Sequence, residues 1–191
     1  MKGMRALSND EYQRLVNVFR ERSQTRDLAL VITGVHLGVR IGELLSLRFK
    51  DVLGQDGQIL ERVYVERKNT KGKLEGRCIP LHQEARNILS RLIQMNRPSP
   101  ESYIYQSRKG ENKPITRRQA WFVLKQAFRK AGLEGKLGTH SLRKTFANRI
   151  YERVKHDLLK TKTALGHKNI NSTISYLSFR QDEVDEAILG V

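Results

Sequence analysis

A histidine and an arginine stand three residues apart in the stretch 138–147. At this spacing, His140 and Arg143 share one face of a helix and lie one turn apart. Gly138 and Thr139 place the pair at the N-terminal end of that helix, where backbone N–H groups and the helix dipole favour an anion. Arg143 offers a planar fork that matches two phosphate oxygens, and His140 can donate a hydrogen bond or a proton. Because this spacing is also common on ordinary helix surfaces, its meaning depends on the residues around it.

The charge balance of the chain is strongly positive. Its 191 residues hold 36 Lys and Arg against 20 Asp and Glu, a formal net charge of +16. A field of this sign attracts a polyanion, either nucleic acid or an anionic membrane surface. The length suits one domain with a substantial core, or at most two small ones.

Neither secretion nor membrane insertion is predicted. No apolar run reaches a membrane-spanning length, and the N-terminus leads into no signal-peptide core. Cys78 is the single cysteine, so no internal disulfide can form and a reducing compartment is expected. We therefore expect a cytoplasmic, nucleoid-associated protein that faces nucleic acid.

Capping and periodicity signals predict the elements of the first half. A capping box at 8–11 starts a helix near Asn9, and residues 28–37 are apolar nearly all round, as in a buried helix. Gly38 ends that helix, and a new one begins at once with Arg40 at its start. An arginine that leaves so apolar a helix needs a partner, and Glu43 can supply it. A structural ion pair is the alternative interpretation of these two residues.

Two strands and a basic hairpin are predicted next. Residues 59–66 and 77–81 read as strands, joined by a glycine-containing loop over 68–76. The loop carries Lys68, Lys71 and Lys73. Such a hairpin is either a solvated edge that deters aggregation or an arm that reaches into a bound duplex.

The remaining elements are predicted to be helical. A helix over 84–95 is followed by one that a capping box opens at Thr116, with Trp121, Leu124 and Phe128 facing inward. Its surroundings, residues 108–130, are strongly basic and are predicted to track phosphates.

The C-terminal part reads as three short helices after the one that carries His140. The first covers 157–165 and ends at Gly166. The second is capped by Asn171 and carries Tyr176, and the last is an acidic amphipathic helix over 181–189.

Five motifs therefore occur in one order along the chain. They are residues 38–47 around Arg40, the lysine hairpin ahead of 79–81, His140-Ser-Leu-Arg143-Lys144, Leu165-Gly166-His167, and 172–176 ending in Tyr176. In this order they resemble the catalytic domain of the tyrosine recombinases, the phage integrase family. The resemblance covers residues 5–180. It implies a mixed α+β fold, mainly α-helical with a small antiparallel sheet, in one catalytic domain over 1–191.

The resemblance also implies a reaction. Arg40 and Arg143 would clamp the scissile phosphate and stabilise the charge that grows on its oxygens. His140 and His167 would add hydrogen bonds to the phosphate or assist proton transfer. Tyr176 would attack phosphorus, leaving a 3′-phosphotyrosine and a free 5′-hydroxyl.

The other implied roles belong to charged side chains. Lys71 would protonate the leaving oxygen, with Lys68 and Lys73 as open alternatives, and Glu43 would orient the arginines. No metal or cofactor is implied, because the arginines take the place of the cations that many nucleases use. The side chains expected to contact DNA are Lys68, Lys73, Arg117, Arg118 and Lys144.

The implied partner is double-stranded DNA that contains a specific recombination site. The family pattern predicts a monomer when free and a homotetramer on paired sites, with residues 181–191 docked on a neighbouring protomer and with accessory DNA-bending factors as possible partners. Most members carry an N-terminal helical DNA-binding domain, which is expected to be absent here because eight residues precede the first helix. The chain is then either a catalytic-domain fragment or a short member like the fimbrial switch invertases.

Three other functions compete with this interpretation. A DNA-binding protein that kept the fold without the chemistry would not need the full residue set. A type IB topoisomerase shares the mechanism but relaxes DNA without exchanging partners. An RNA-binding protein, inferred from charge alone, would leave the order of the motifs unexplained.

Overall fold

The computed structural model describes residues 3–21, 24–68, 74–177, 185 and 188–190, with the backbone alone at 67, 68, 74 and 75. Over these residues the fold is mainly helical, with one two-stranded antiparallel sheet, as predicted. The chain divides into two compact units, residues 1–146 and 147–191. None of the described helices has both the length and the apolar character needed to cross a bilayer.

The first unit is built on a buried helix. Helix α1 (Asn9–Glu21) begins after the predicted capping box, in which Ser8 and Glu11 exchange hydrogen bonds of 2.9 and 3.2 Å. Helix α2 (Thr25–Leu37) is buried on nearly every side, so its apolar composition is explained by its central position. The short helix α3 (Ile41–Leu45) follows it within four residues.

The sheet is a hairpin of β1 (Arg62–Lys68) and β2 (Leu74–Pro80), in which Val63 pairs with Ile79. Val63, Val65 and Ile79 are buried, so one face of the hairpin joins the core, as its alternating pattern predicts. Both strands extend further toward the loop that joins them than predicted, since β1 ends at 68 instead of 66 and β2 begins at 74 instead of 77. Ile59 forms an isolated bridge with Leu53 instead of starting β1.

Two amphipathic helices complete the first unit. Helix α4 (Gln83–Asn96) and helix α5 (Arg117–Lys130) agree with their predicted spans. The predicted cap of α5 is present. The hydroxyl of Thr116 accepts a hydrogen bond from the N–H of Gln119 at 3.1 Å, and the side-chain oxygen of Gln119 accepts one from the N–H of Thr116 at 2.7 Å. Leu124 and Phe128 are buried as predicted, but Trp121 is half-buried. Its ring lies under the ammonium group of Lys125, 4.7 Å away.

Helix α6 (Thr139–Arg153) carries the histidine–arginine pair in its N-terminal half. The second unit holds α7 (Leu158–Leu165), capped by Asp157, and α8 (Ile170–Ile174). The predicted cap of α8 was wrong. Asn169 rather than Asn171 caps it, accepting a hydrogen bond of 2.8 Å from the N–H of Asn171.

Most of the acidic helix predicted over 181–189 lies outside the described residues. Of its members, Asp185, Ile188 and Leu189 are described, in helical conformation and exposed.

Candidate active site

Arg40 occupies the turn between α2 and α3. Gly38 ends α2 in the left-handed conformation, with φ of 57°, and Arg40 follows in extended conformation as the N-cap of α3. The Glu43 carboxylate accepts one hydrogen bond from the backbone N–H of Arg40, at 2.8 Å, and one from its guanidinium, at 3.2 Å. One carboxylate therefore caps the helix and orients the Arg40 side chain, so the predicted pair is present.

Arg143 is buried, with 2% of its surface exposed. Its Nη1 donates to the carbonyl oxygen of Gly38 at 2.5 Å. The last carbonyls of a helix lack partners within that helix, and Arg143 supplies one for the end of α2. This contact ties the second turn of α6 to the segment that leads into Arg40.

Glycines allow α2 and α6 to approach closely enough for that contact. A Cβ atom on Gly34 would lie 2.7 Å from Cδ1 of Leu142, and one on Gly38 would lie 2.1 Å from Cδ1 of Phe146. Both distances are below any normal carbon–carbon contact, so larger residues would push the helices apart. The two glycines thus set the position of Arg143.

His140 lies one turn before Lys144 on α6 and remains accessible to solvent. Partial burial lowers its pKa, and the positive charges of Arg143, Arg40 and Lys144 lower it further. The imidazole is therefore neutral at pH 7, with one nitrogen able to accept a proton and one able to donate a hydrogen bond. Burial also lowers the pKa of Lys144.

Arg117 reaches the same region from the first turn of α5. A Cβ on Gly42 would lie 2.5 Å from Nη2 of Arg117, so this guanidinium lies against the first turn of α3, at a residue two positions after Arg40. Arg118 is exposed on the next position of α5. The first unit thus gathers Arg40, Glu43, Arg117, His140, Arg143 and Lys144 around the ends of three helices.

This cationic region is an open surface rather than a cavity, because Arg40 and His140 both remain accessible. A cavity of 430 Å³ in the first unit lies beside Thr25 and Met95, at the other end of α2. An open surface suits an extended polyanion better than an enclosed small molecule.

The second unit places His167 beside Tyr176. The two rings meet edge to face, with centroids 5.2 Å apart. His167 is 8% exposed, and its Nδ1 is hydrogen-bonded to the hydroxyl of buried Thr173 at 2.9 Å. That bond fixes the orientation of the imidazole ring.

Tyr176 lies just past the end of α8, which departs from the prediction that a helix carries it. Its N–H donates to the carbonyl of Thr173 at 2.9 Å, in the turn that follows the C-cap residue Ser175. The tyrosine is half-buried.

Lys71, the predicted general acid, and its alternative Lys73 lie outside the described residues. For Lys68, the last residue of β1, the backbone alone is described. Sequence reasoning missed two groups, the Gly38 carbonyl and the Thr173 hydroxyl. The Gly38 carbonyl contacts Arg143 and the Thr173 hydroxyl contacts His167, and no sequence motif signals either contact.

Comparison with known proteins shows the family of the chain. Residues 5–183 match the family described as the Phage integrase family. The probable integrase/recombinase YoeC of Bacillus subtilis is 31% identical over 157 residues, which are 82% of this chain and 80% of that protein. The tyrosine recombinase XerA of Pyrococcus furiosus is 28% identical over 188 residues, which are 96% of this chain and 60% of that protein.

A solved structure shares the fold. The XerH site-specific recombinase, bound to palindromic difH substrate in a post-cleavage complex, matches with a TM-score of 0.76 at 23% identity. The match covers 96% of this chain and 51% of the XerH chain. The chain therefore belongs to the phage integrase family, and its fold is that of a tyrosine recombinase catalytic domain. The chain spans about 60% of the length of XerA.

Proposed function

We propose that this chain cuts and rejoins double-stranded DNA at a specific site through a 3′-phosphotyrosyl intermediate on Tyr176. The observation that carries the proposal is the pair of arginines joined through one turn. Arg143 donates a hydrogen bond to the carbonyl of Gly38. Arg40 follows Gly38 by two residues, and its guanidinium donates a hydrogen bond to the carboxylate of Glu43. Family membership supports the same reaction.

The proposed reaction consists of strand cleavage and strand rejoining at one phosphate. Tyr176 gives its phenol proton to His140 or His167, and its oxygen attacks phosphorus. The bond from phosphorus to the 5′-oxygen breaks, and Lys71 gives that oxygen its proton. Arg40 and Arg143 neutralise the charge on the non-bridging oxygens, an effect that a partly desolvated site strengthens. Rejoining reverses these steps, with a 5′-hydroxyl attacking the phosphotyrosine and releasing the tyrosine.

The histidines have different proposed roles because their surroundings differ. His140 is neutral and accessible beside three cations, so it can bond a phosphate oxygen or take the tyrosine's proton. His167 is held by Thr173 against Tyr176 and acts on the nucleophile's side of the reaction. Arg117, Arg118 and Lys144 add positive charge that positions DNA without reading its sequence.

The proposed assembly brings two recombination sites together. We propose a single catalytic domain over 1–191 that is monomeric when free and forms a homotetramer when two duplexes are paired. The XerH structure contains DNA. Accessory DNA-bending factors and action within the nucleoid belong to this proposal as well.

A suicide substrate tests the reaction directly. A binding site is first selected from random-sequence duplexes. It is then nicked near the cleavage position, so that the short fragment with the free 5′-hydroxyl diffuses away and rejoining is prevented. The wild-type chain should give an SDS-resistant adduct, and Tyr176→Phe should bind but give none. Tyr151→Phe is the matched control, since it removes a hydroxyl from another tyrosine of the second unit.

An adduct with Tyr176→Phe would mean that another residue is the nucleophile. Relaxation of supercoiled plasmid by the wild-type chain, without exchange between two selected sites, would instead indicate a topoisomerase.

A further inference from the structure

Three side chains of types that can bind metals lie together where the end of α2 meets the start of α4. The proposed reaction does not use them. His36 lies in the last turn of α2, His82 is the N-cap of α4, and Glu84 lies in the first turn of α4. One potential ligand atom of each lies within 4.8 Å of the others. Within the part of the chain that the structure describes, no other three His, Cys, Asp or Glu side chains meet in this way.

The three side chains are already in contact. Nε2 of His36 is 2.9 Å from Oε2 of Glu84, and the rings of His36 and His82 stack with centroids 4.1 Å apart and planes 4° from parallel. The side chains of His36 and Glu84 are 14% and 31% exposed, whereas His82 is exposed. Two ligands are therefore shielded, and the third opens the cluster to solvent.

We propose that His36, His82 and Glu84 bind a divalent transition metal ion, with Zn²⁺ as the reference ion. Two imidazoles and one carboxylate form a ligand set that Zn²⁺ accepts, with water in the fourth position. The ion would replace the hydrogen bond between Nε2 of His36 and Glu84. Because metal ligands bind in their deprotonated forms, the proton of that bond would be released or move to Nδ1 of His36.

Metal binding must rearrange His82. Metal–ligand bonds of about 2.0–2.1 Å place tetrahedral ligand atoms roughly 3.3 Å apart, and parallel stacked rings cannot both direct a lone pair at one ion. His82 also accepts a hydrogen bond at Nδ1 from the N–H of Glu84, at 3.2 Å. Because its side chain is exposed, His82 can leave the stack and exchange this capping contact for the metal.

The ion would join the last turn of α2 to the first turn of α4. His36 lies two residues before Gly38, whose carbonyl accepts the bond from Arg143. Metal binding would thus fix the same helix end that leads into Arg40. This inference does not depend on the proposed function.

Calorimetric titration of the full chain with ZnCl₂, after dialysis against a chelator, tests the proposal. The wild-type chain should bind one Zn²⁺ with micromolar affinity. His82→Asn keeps a good N-cap residue but removes the imidazole, and Glu84→Gln keeps the shape but removes the charge. Each should weaken binding at least tenfold. Co²⁺ as a second probe should give visible absorption bands with the wild-type chain and not with His82→Asn.

His156→Asn is the matched control. His156 has φ of 64°, a conformation that asparagine tolerates, so the same substitution is made away from the cluster. It should bind Zn²⁺ as the wild-type chain does. Absence of micromolar Zn²⁺ binding, or equal affinity of the wild-type chain and His82→Asn, would overturn the site. An equal loss in His156→Asn would show dispersed binding by surface histidines and would overturn it too. Circular dichroism confirms that each variant is folded.

Discussion

The buried guanidinium of Arg143 donates to the carbonyl of Gly38, a residue 105 positions earlier in the chain. Gly38 meets three requirements at once. It adopts φ of 57°, it has no Cβ where Phe146 packs, and it presents its carbonyl to the arginine. The packing of α2 against α6 and the placement of the Arg143 guanidinium therefore both depend on Gly38.

Gly38→Ala should destabilise the protein for two reasons that a control can separate. The left-handed conformation costs an L-residue about 1–2 kcal/mol, and the clash with Phe146 adds roughly 1–3 kcal/mol. Gly57→Ala meets only the first cost, because Gly57 has φ of 75° and an added Cβ would meet no packed atom within 4 Å. Urea unfolding followed by circular dichroism measures both free energies. Equal losses would show that Phe146 gives way and that Gly38 is needed for its conformation alone.

Lys144→Met should raise the pKa of His140, because it removes one of the positive charges that lower it. Lys144→Arg keeps the charge and should leave the pKa nearly unchanged. Titration of the His140 Cε1 proton signal by NMR measures the shift. If both variants titrate like the wild-type chain, the charge of Lys144 does not reach the imidazole.

The direction of this shift also fixes a pH dependence. The pKa of His140 is lower in the folded state than the ordinary 6.5, so the unfolded chain binds more protons around that pH. Stability from this group is therefore present above pH 6.5 and is lost as the pH falls through the folded-state pKa. His140→Gln should reduce the loss of stability between neutral and mildly acidic pH, as measured by urea unfolding at a series of pH values.

Lys71→Ala should slow cleavage severely on a normal DNA strand, because the 5′-oxygen leaves poorly without a proton. A 5′-bridging phosphorothioate leaves without one, so cleavage of that substrate should be rescued. Lys68→Ala and Lys73→Ala are the matched controls and should cleave both substrates similarly. Rescue in either control, with equal defects in Lys71→Ala, would move the role of acid to that other lysine.

Deleting residues 181–191, which hold four acids and no bases, should leave binding to a single site nearly intact and abolish pairing of two sites. Ile188→Asp should act in the same way, because Ile188 is an apolar residue that is 67% exposed. Leu159→Asp, at 65% exposure on α7, is the matched control. Gel mobility and light scattering on DNA with one or two sites measure the two steps. Normal pairing by the truncated chain would remove the tail from assembly.

Local patterns predicted the features that depend on neighbours in sequence. The capping boxes at Ser8 and Thr116 and the Arg40–Glu43 pair all span three residues. Such contacts are set by backbone geometry within one helical turn, so they can be inferred before the tertiary fold is known.

Contacts between distant segments could not be predicted in this way. The bond between Arg143 and Gly38 and the cluster of His36, His82 and Glu84 depend on how helices pack, and no linear spacing encodes either. The cap of α8 was misplaced for another reason. Asn169 and Asn171 are equally good capping residues, and the choice between them depends on where the turn after Gly166 ends.

The place of Tyr176, one residue past the C-cap of α8, has a kinetic consequence. A five-residue helix is not stable by itself, and the turn that carries the tyrosine is closed by short-range backbone hydrogen bonds, from Tyr176 to Thr173 and from Leu177 to Ile174. Arg143, by contrast, is anchored at the end of a helix buried on nearly every side. The proposed nucleophile therefore follows a short helix, whereas a proposed phosphate-binding arginine is anchored to a long buried one. We expect the segment that carries Tyr176 to rearrange on the microsecond-to-millisecond timescale of local motions, while the hydrogen bond between Arg143 and Gly38 stays in place.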